Sequence, residues 1–322
     1  MTDGMSRGFA GREAVSAVMV TYHPDAELPA RVKRILEEVA DLIVVDNGSA
    51  EGAIGMLRAM AADARVALIL NGANLGVARA LNLGVARAQA SGARCVLLLD
   101  QDSVLHEGLM QTLLAVRAAY PEPDRLAVIG AGFDGSETLT VPATAASAEL
   151  DAGAERVASA DRGAGGGDRD YREVESVITS GSLIPLAAHA VVGPFREEFF
   201  IDYVDTEYCF RARAKGFGVI TTRKSIMSHA IGAPTRHSIL GVDRWTSNHS
   251  PDRRYYMARN DTVMLRESGR YALGSWALKS LGRRLRTCKR VLLYERSKRE
   301  KLAAIASGWW DGVRGRLGPR HA

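Results

Sequence analysis

Over the first 130 residues, short runs of apolar and β-branched residues alternate with longer stretches whose apolar positions recur at helical spacing. That alternation predicts strand–helix–strand units and a largely parallel sheet. Strands are expected at Ser16 to Val20, Leu42 to Val45, Val66 to Leu70, Cys95 to Leu99 and Leu126 to Gly130, with helices near 26–40, 51–62, 76–90 and 105–119. From Asp134 to Arg172 the pattern dissolves into Ala, Gly, Ser, Asp and Glu around Gly165-Gly166-Gly167, and a long flexible loop is expected. Order returns with a strand-like Val177-Ile178, a helix over 203–215 and strands around 217–221 and 225–229, and the last seventy residues look helical throughout. The chain thus divides into a first half (1–133), a loop (134–173), a second half (174–250) and a C-terminal helical segment (251–322).

Within that last segment Leu273, Ala277, Leu281, Leu285, Cys288 and Leu292 recur at spacings of three and four, while Lys279, Arg283, Arg286 and Arg290 take the opposite face. This is a basic amphipathic helix. Two partners suit it: an anionic bilayer, with Trp309-Trp310 as interfacial anchors, or the protein's own core. Arg284 falls on the apolar side, which favours a phosphate or lipid contact.

Composition narrows the class. With 322 residues, 47% hydrophobic and 25% charged, the chain can bury a core and is neither a fibre nor a wholly disordered polymer. Its apolar runs, such as Ala14 to Val20, fall far short of the roughly 18 residues of a spanning helix. The polar Met1 to Arg12 has no apolar signal region, so cytoplasmic residence is expected. Three distant cysteines, Cys95, Cys209 and Cys288, have no metal or redox spacing. The net charge of +5 is unevenly spread. Residues 251–322 carry 18 Lys+Arg against 6 Asp+Glu, or +12, which leaves the first 250 at −7.

In an open parallel sheet ligands bind beyond the carboxyl ends of the strands. Polar residues follow four expected strands there: Thr21-Tyr22-His23, Asp46-Asn47-Gly48-Ser49, Asn71 with Asn74-Leu75-Gly76, and Asp100-Gln101-Asp102-Ser103. Each alone can be a turn or a helix cap. Their recurrence at one sheet edge points to a ligand. Two carboxylates at i and i+2 past a buried strand suit Mg2+ or Mn2+ bridging a diphosphate. No glycine-rich dinucleotide fingerprint or Walker lysine loop follows the first strand. A second acidic cluster, Asp202, Asp205 and Glu207, stands beside Phe199, Phe200 and Tyr203 at an expected helix start. Helix capping accounts for Asp205 and Glu207 and less well for Asp202. Desolvation beside aromatics would raise a carboxylate's proton affinity, which suits a general base. His229 ends an apolar-alternating run, and such a histidine is more often packed than a ligand.

Taken in order, these motifs resemble the family-two inverting glycosyltransferases of the glycosyltransferase A fold, most closely the bacterial rhamnosyltransferases. The resemblance runs from about 20 to 260. It is carried by Val20-Thr21-Tyr22, Val45-Asp46-Asn47-Gly48-Ser49, Asn74-Leu75-Gly76, Ala80-Leu81-Asn82-Leu83-Gly84, Leu99-Asp100-Gln101-Asp102-Ser103 and Thr179-Ser180-Gly181-Ser182. The run from Phe200 to Glu207, Ser228-His229-Ala230-Ile231-Gly232, Arg253-Arg254-Tyr255-Tyr256 and Arg259-Asn260 complete it.

The resemblance implies an α/β fold with a Rossmann-like nucleotide-sugar-binding half, an acceptor half and C-terminal helices. It implies that Thr21 and Tyr22 line the nucleobase pocket and that Asp46 accepts the imide proton. Asn74 and Asn82 would fix the nucleoside and phosphates, and Asp100 the ribose. Asp102 and His229 would bind the metal, Asp205 would be the base, and Glu207 would position base or acceptor. Val204 stands where most members have Glu, a departure shared by the rhamnosyltransferase pattern. Arg253, Arg254 or Arg259 would supply charge to the leaving diphosphate. The implied reaction moves L-rhamnose from a dTDP donor to a lipid-linked or polysaccharide acceptor in cell-surface glycan synthesis, such as O-antigen, at the inner face of the cytoplasmic membrane. A UDP-hexose or UDP-galactofuranose donor, and a basic nucleic-acid-binding module, are the alternatives; the front half argues against the latter, which has no need of Asp102, Asp205 and His229 together.

Overall fold

The computed structural model describes residues 15–133, 169–228, 235–239, 242–246, 248–271 and 274–320. Its strands and helices are numbered in chain order. Four parallel strands open it: β1 (Val15–Thr21), β2 (Asp41–Asp46), β3 (Val66–Leu70) and β4 (Cys95–Asp100). Helices α1 (Leu28–Glu38), α2 (Glu51–Met60) and α3 (Val77–Ala90) connect them. After β4 come the two-residue β5 (Val104–Leu105), α4 (Leu109–Ala119) and β6 (Leu126–Phe133).

The second half adds β7 (Tyr171–Glu173), β8 (Ser182–Pro185), α5 (Leu186–Val192), α6 (Val204–Ala214) and β9 (Gly218–Ser228). Among the described residues nine strands form one sheet in the order β3-β2-β1-β4-β8-β6-β9-β5, with β7 also on β9. β8 is antiparallel to both β4 and β6, which joins the parallel first half to the mixed second half. A hairpin, β10 (Thr235–Ile239) and β11 (Val242–Thr246), precedes α7 (Pro251–Arg266), α8 (Gly274–Tyr294) and α9 (Lys298–Arg314).

Period-two alternation in the parallel strands feeds two cores. Val18, Ile43, Val45, Val96 and Leu98 face Leu81, Val85 and Ala88 of α3. Ala17, Met19, Leu42, Val44, Leu97 and Leu99 face Ile35 of α1 and Leu109 and Leu113 of α4. The strands thereby project their carboxyl-terminal residues in a row. Thr21 is the register partner of Asp46, Asp46 of Leu70, and Val20 of Asp100.

The order of parallel strands and helices in the first half follows the sequence reading, and three details of the chain depart from it. Val177-Ile178 is not a strand; Val177 is buried against the bare backbone of Gly130, so its apolar character serves packing without a ladder. The strand is β8, five residues later. The runs at 217–221 and 225–229 are one strand, whose pairing with β6 is broken by register shifts. The helix expected from 105 begins at Leu109, because Val104 and Leu105 pair with Ser228 and Met227. Most of the 134–173 loop lies outside the described residues, and no helix among those described is long and apolar enough to cross a membrane.

Candidate active site

The row of strand ends is knitted together by its own polar side chains. Asp46, buried, accepts from the Thr21 hydroxyl at 3.1 Å, from the Gly48 and Ser49 amides at 3.1 and 2.9 Å, and from the Ser49 hydroxyl. Both its oxygens are thus engaged within the protein, and a base N–H would have to displace one of these donors. Asn47 donates to Asn74 Oδ1 at 2.9 Å and accepts from Asn71 Nδ2 at 3.2 Å and the Leu75 amide at 3.0 Å. Asn74 Oδ1 also accepts the Gly76 amide at 3.0 Å. Tyr22 is half exposed at the rim, 4.3 Å from the His23 ring, and its backbone pairs in both directions with the Gln101 amide.

The Asp100–Ser103 turn is closed by Ser103. Its hydroxyl accepts the Asp100 amide at 3.0 Å and lies 2.6 Å from that of Ser180. One residue before Ser180, the Thr179 amide donates to Asp205 Oδ2 at 3.2 Å. Asp205 Oδ1 accepts from the Thr206 amide and hydroxyl at 2.7 and 3.1 Å. A short polar chain thus links the Asp100–Asp102 turn to Asp205 at the start of α6. Arg253 completes the group through its ion pair with Asp202 at 3.2 Å. Asp202 raises the guanidinium's proton affinity most, with smaller contributions of the same sign from Asp100 and Asp205.

The segment from Phe200 to Tyr203 bears strain. Phe200, Asp202 and Tyr203 have φ of 65°, 61° and 64°, each costing about 1–3 kcal/mol for a residue with a side chain. The outer end of this turn rests on α3, where the Val77 amide donates to the Phe200 carbonyl at 2.6 Å. Only glycine fits at 76, since a Cβ there would lie 2.7 Å from that carbonyl.

Four expected site residues lie elsewhere. Asn82 is about 7.5 Å along α3 from its start and holds Phe195 by both backbone groups, at 2.9 Å each. Glu207 is about 200° around α6 from Asp205; it is buried and accepts Arg211 at 2.9 and 3.0 Å and the Tyr271 hydroxyl at 2.9 Å. Burial first, then Glu207, pushes that phenol up to about 12. Asn82 and Glu207 line a separate cleft of about 720 Å³ that none of Asp100, Asp102, Asp202 and Asp205 borders. Arg254 is buried on Glu295. Arg259, fully buried, donates to the carbonyls of Glu198, Phe199 and Gly318 and stacks over Tyr256. Arg253, by contrast, pairs with Asp202.

Asp102 is near Arg31, whose proton affinity it raises after the larger effects of Asp25 and Glu27. His229 lies outside the described residues; Ser228 before it is the register partner of Val104, two positions past Asp102. The described residues hold no cluster of three metal-binding side chains. The Asp100–Asp102 turn nonetheless offers hard carboxylate oxygens at the sheet edge, the donor type that Mg2+ and Mn2+ take alongside diphosphate and water.

The mainly parallel sheet with carboxylates at its strand ends, continued by antiparallel β8, is a glycosyltransferase A fold, shared with solved glycosyltransferase structures. Residues 16–136 match the family model described as glycosyl transferase family 2. It is 29% identical over 256 residues to the dTDP-rhamnosyl transferase RfbF of Shigella flexneri, covering 79% of this chain and 80% of that protein. Among solved structures, S. aureus TarS aligns with a TM-score of 0.58 at 13% identity over 93% of this chain, which spans only 48% of the TarS chain. The mannosyltransferase PcManGT of Pyrobaculum calidifontis, solved with GDP-Man and Mn2+, gives 0.55 at 14% identity over 95% of this chain and 88% of its own.

Proposed function

We propose that this glycosyltransferase moves L-rhamnose from dTDP-L-rhamnose, with inversion, onto a lipid-linked or polysaccharide acceptor in cell-surface glycan synthesis. The observation that carries the reading is the polar chain that links the Asp100–Asp102 turn through Ser103 and Ser180 to the Thr179 amide and Asp205, together with the Asp202–Arg253 ion pair. The donor assignment is supported by the 29% identical dTDP-rhamnosyl transferase. TarS has been solved with UDP-GlcNAc, but at 13% identity it shares the fold alone.

In this reading Thr21 and Tyr22 wall the base, Asp46 and Asn74 hold the loops that shape its pocket, and Asp100 meets the ribose. Asp102, with His229 as the further ligand, would hold Mg2+ or Mn2+, which neutralises charge on the diphosphate when bound. Arg253 adds cationic charge to the leaving group. Asp205 takes the acceptor hydroxyl proton as the sugar's anomeric carbon is attacked from the opposite face.

The same reading puts the enzyme on the inner face of the cytoplasmic membrane. What supports this is α8, whose Leu281, Leu285 and Leu292 are 58%, 67% and 56% exposed and lie in one stripe, beside exposed Arg286 and Lys289.

The deciding experiment measures initial transfer rate and donor Kd with and without a chelator. Asp205→Asn should lower transfer by about 10² to 10⁴-fold with little change in Kd, the usual worth of a general base. Asp102→Ala should stay folded and lose metal-dependent donor binding. Full transfer by Asp205→Asn, or chelator-insensitive turnover, would sink the respective assignment.

A further inference from the structure

The strained Phe200–Tyr203 turn is fastened from behind by one side chain. Asn260, fully buried on α7, directs Nδ2 at three consecutive-turn carbonyls: Phe199 at 2.9 Å, Ile201 at 2.8 Å and Asp202 at 2.9 Å. Its orientation is set by its other end, because Oδ1 accepts Arg259 Nε at 3.0 Å. With two N–H groups for three carbonyls, one contact is shared. Arg259 adds the carbonyls of Glu198 and Phe199, and Asp261 accepts the Tyr203 hydroxyl at 3.0 Å. Three successive residues of a rigid helix thus grip one turn.

What the turn delivers is the candidate chemistry. Asp202 carries the carboxylate that pairs with Arg253, from the first turn of α7 itself. Tyr203, the last left-handed residue, immediately precedes α6, and its carbonyl accepts the Glu207 amide at 2.9 Å, so its conformation fixes the direction in which that helix starts. Asp205 is the second residue of the helix. A turn with three left-handed side-chain-bearing residues relaxes unless its surroundings over-determine it. Relaxation would move the helix start, and a displacement of about 1 Å at a reacting group can lower a rate about 10²-fold.

We infer that Asn260 is a positioning residue that sets Asp205 and Asp202 for the transfer step by holding the Phe199–Asp202 carbonyls. This rests on the assignment of Asp205 as base. It touches neither donor nor acceptor. Its action is therefore expected on kcat and only weakly on donor Kd.

The test is a double-mutant cycle on the full chain. Asn260→Ala should remain folded, bind donor within about threefold of wild type and lose about 10²-fold in kcat. Hydrogen exchange should rise in peptides covering 198–206 and stay unchanged in β1 to β4. Because it acts through Asp205, the variant with both Asn260→Ala and Asp205→Asn should be no slower than Asp205→Asn alone. Multiplied losses in the double variant, a kcat near wild type for Asn260→Ala, or exchange that rises throughout the chain would overturn the proposal. A near-wild-type rate for Asp205→Asn alone would instead remove the base assignment. Should Asn260→Ala not yield folded protein, Asn260→Ser keeps a small polar group in the helix and carries the same cycle.

Discussion

Glu207 and Asp205 are two residues apart in sequence and on opposite sides of α6, and each has its own partners. Asp205 takes the amides of Thr179 and Thr206, whereas Glu207 holds Arg211 and Tyr271. Glu207→Gln keeps the shape but removes a buried charge from Arg211, which retains the carbonyls of Val192 and Pro194 at 2.7 and 2.8 Å. We expect a loss of about 1–3 kcal/mol in urea denaturation and a transfer rate within a few-fold of wild type. Abolished transfer by a folded Glu207→Gln would move the base to that residue. Sequence showed that an acidic cluster existed here; it did not show which acid faced which side, since both are compatible with a helix start. Arg253 and Arg254 pose the same problem. Adjacent in sequence, they pair with Asp202 and with buried Glu295 respectively.

At the scale of elements, α9 lies so close on α7 that glycine is obligatory at the contact. A Cβ at Gly308 would stand 2.3 Å from the Tyr255 carbonyl, and one at Gly312 2.7 Å from that of Arg259. Alanine favours a helix by about 1 kcal/mol over glycine, yet a backbone atom at that distance cannot move aside as a side chain does. Gly308→Ala is therefore expected to destabilise, lowering the thermal midpoint despite its better propensity. A higher midpoint would show that the two helices can separate without cost.

The helix α8 inverts the usual arrangement. Its inward side carries Ser280 and Arg284, both bonded to Asp261, together with Val291, while Leu281, Leu285 and Leu292 face out. The amphipathic period was legible in the sequence, but which face met the protein was not, because buried Asp261 supplies a polar anchor that periodicity cannot register. For Leu285→Asp we expect weaker flotation with anionic vesicles, and for Arg286→Glu with Lys289→Glu a loss of the salt-sensitive part. Binding that ignores all three changes would exclude this face as the lipid contact.

Among the described residues, His189 and His249 bind protons less readily than usual. Burial lowers His189 to about 4, with Arg211 adding to the effect, and burial lowers His249 to about 4, with Arg253 and Arg254 adding. The folded state thus favours neutral imidazoles, so their contribution is complete above the unfolded value near 6.5 and is lost as pH falls from there towards about 4. For His189, which also bonds the Tyr208 hydroxyl at 3.0 Å, the loss is at most ~3 kcal/mol. The thermal midpoint should drop between pH 7.5 and 5, and His189→Gln, which cannot titrate, should shrink that drop. An unchanged drop would place the acid sensitivity elsewhere.

The sequence by itself determined the parallel half of this protein, because its strands are continuous apolar runs between amphipathic helices and their chemistry follows in fixed order at Thr21, Asp46, Asn74 and Asp100. Local period and local turn residues suffice for that. The tertiary structure decided the second half, where β8 reverses beside β4, Val177 packs without pairing, and α6 and α7 choose which charged residues face the site. Those choices depend on partners 26 to 64 residues away in the chain, such as Thr179 for Asp205 and Tyr271 for Glu207, and no local pattern encodes a contact of that span.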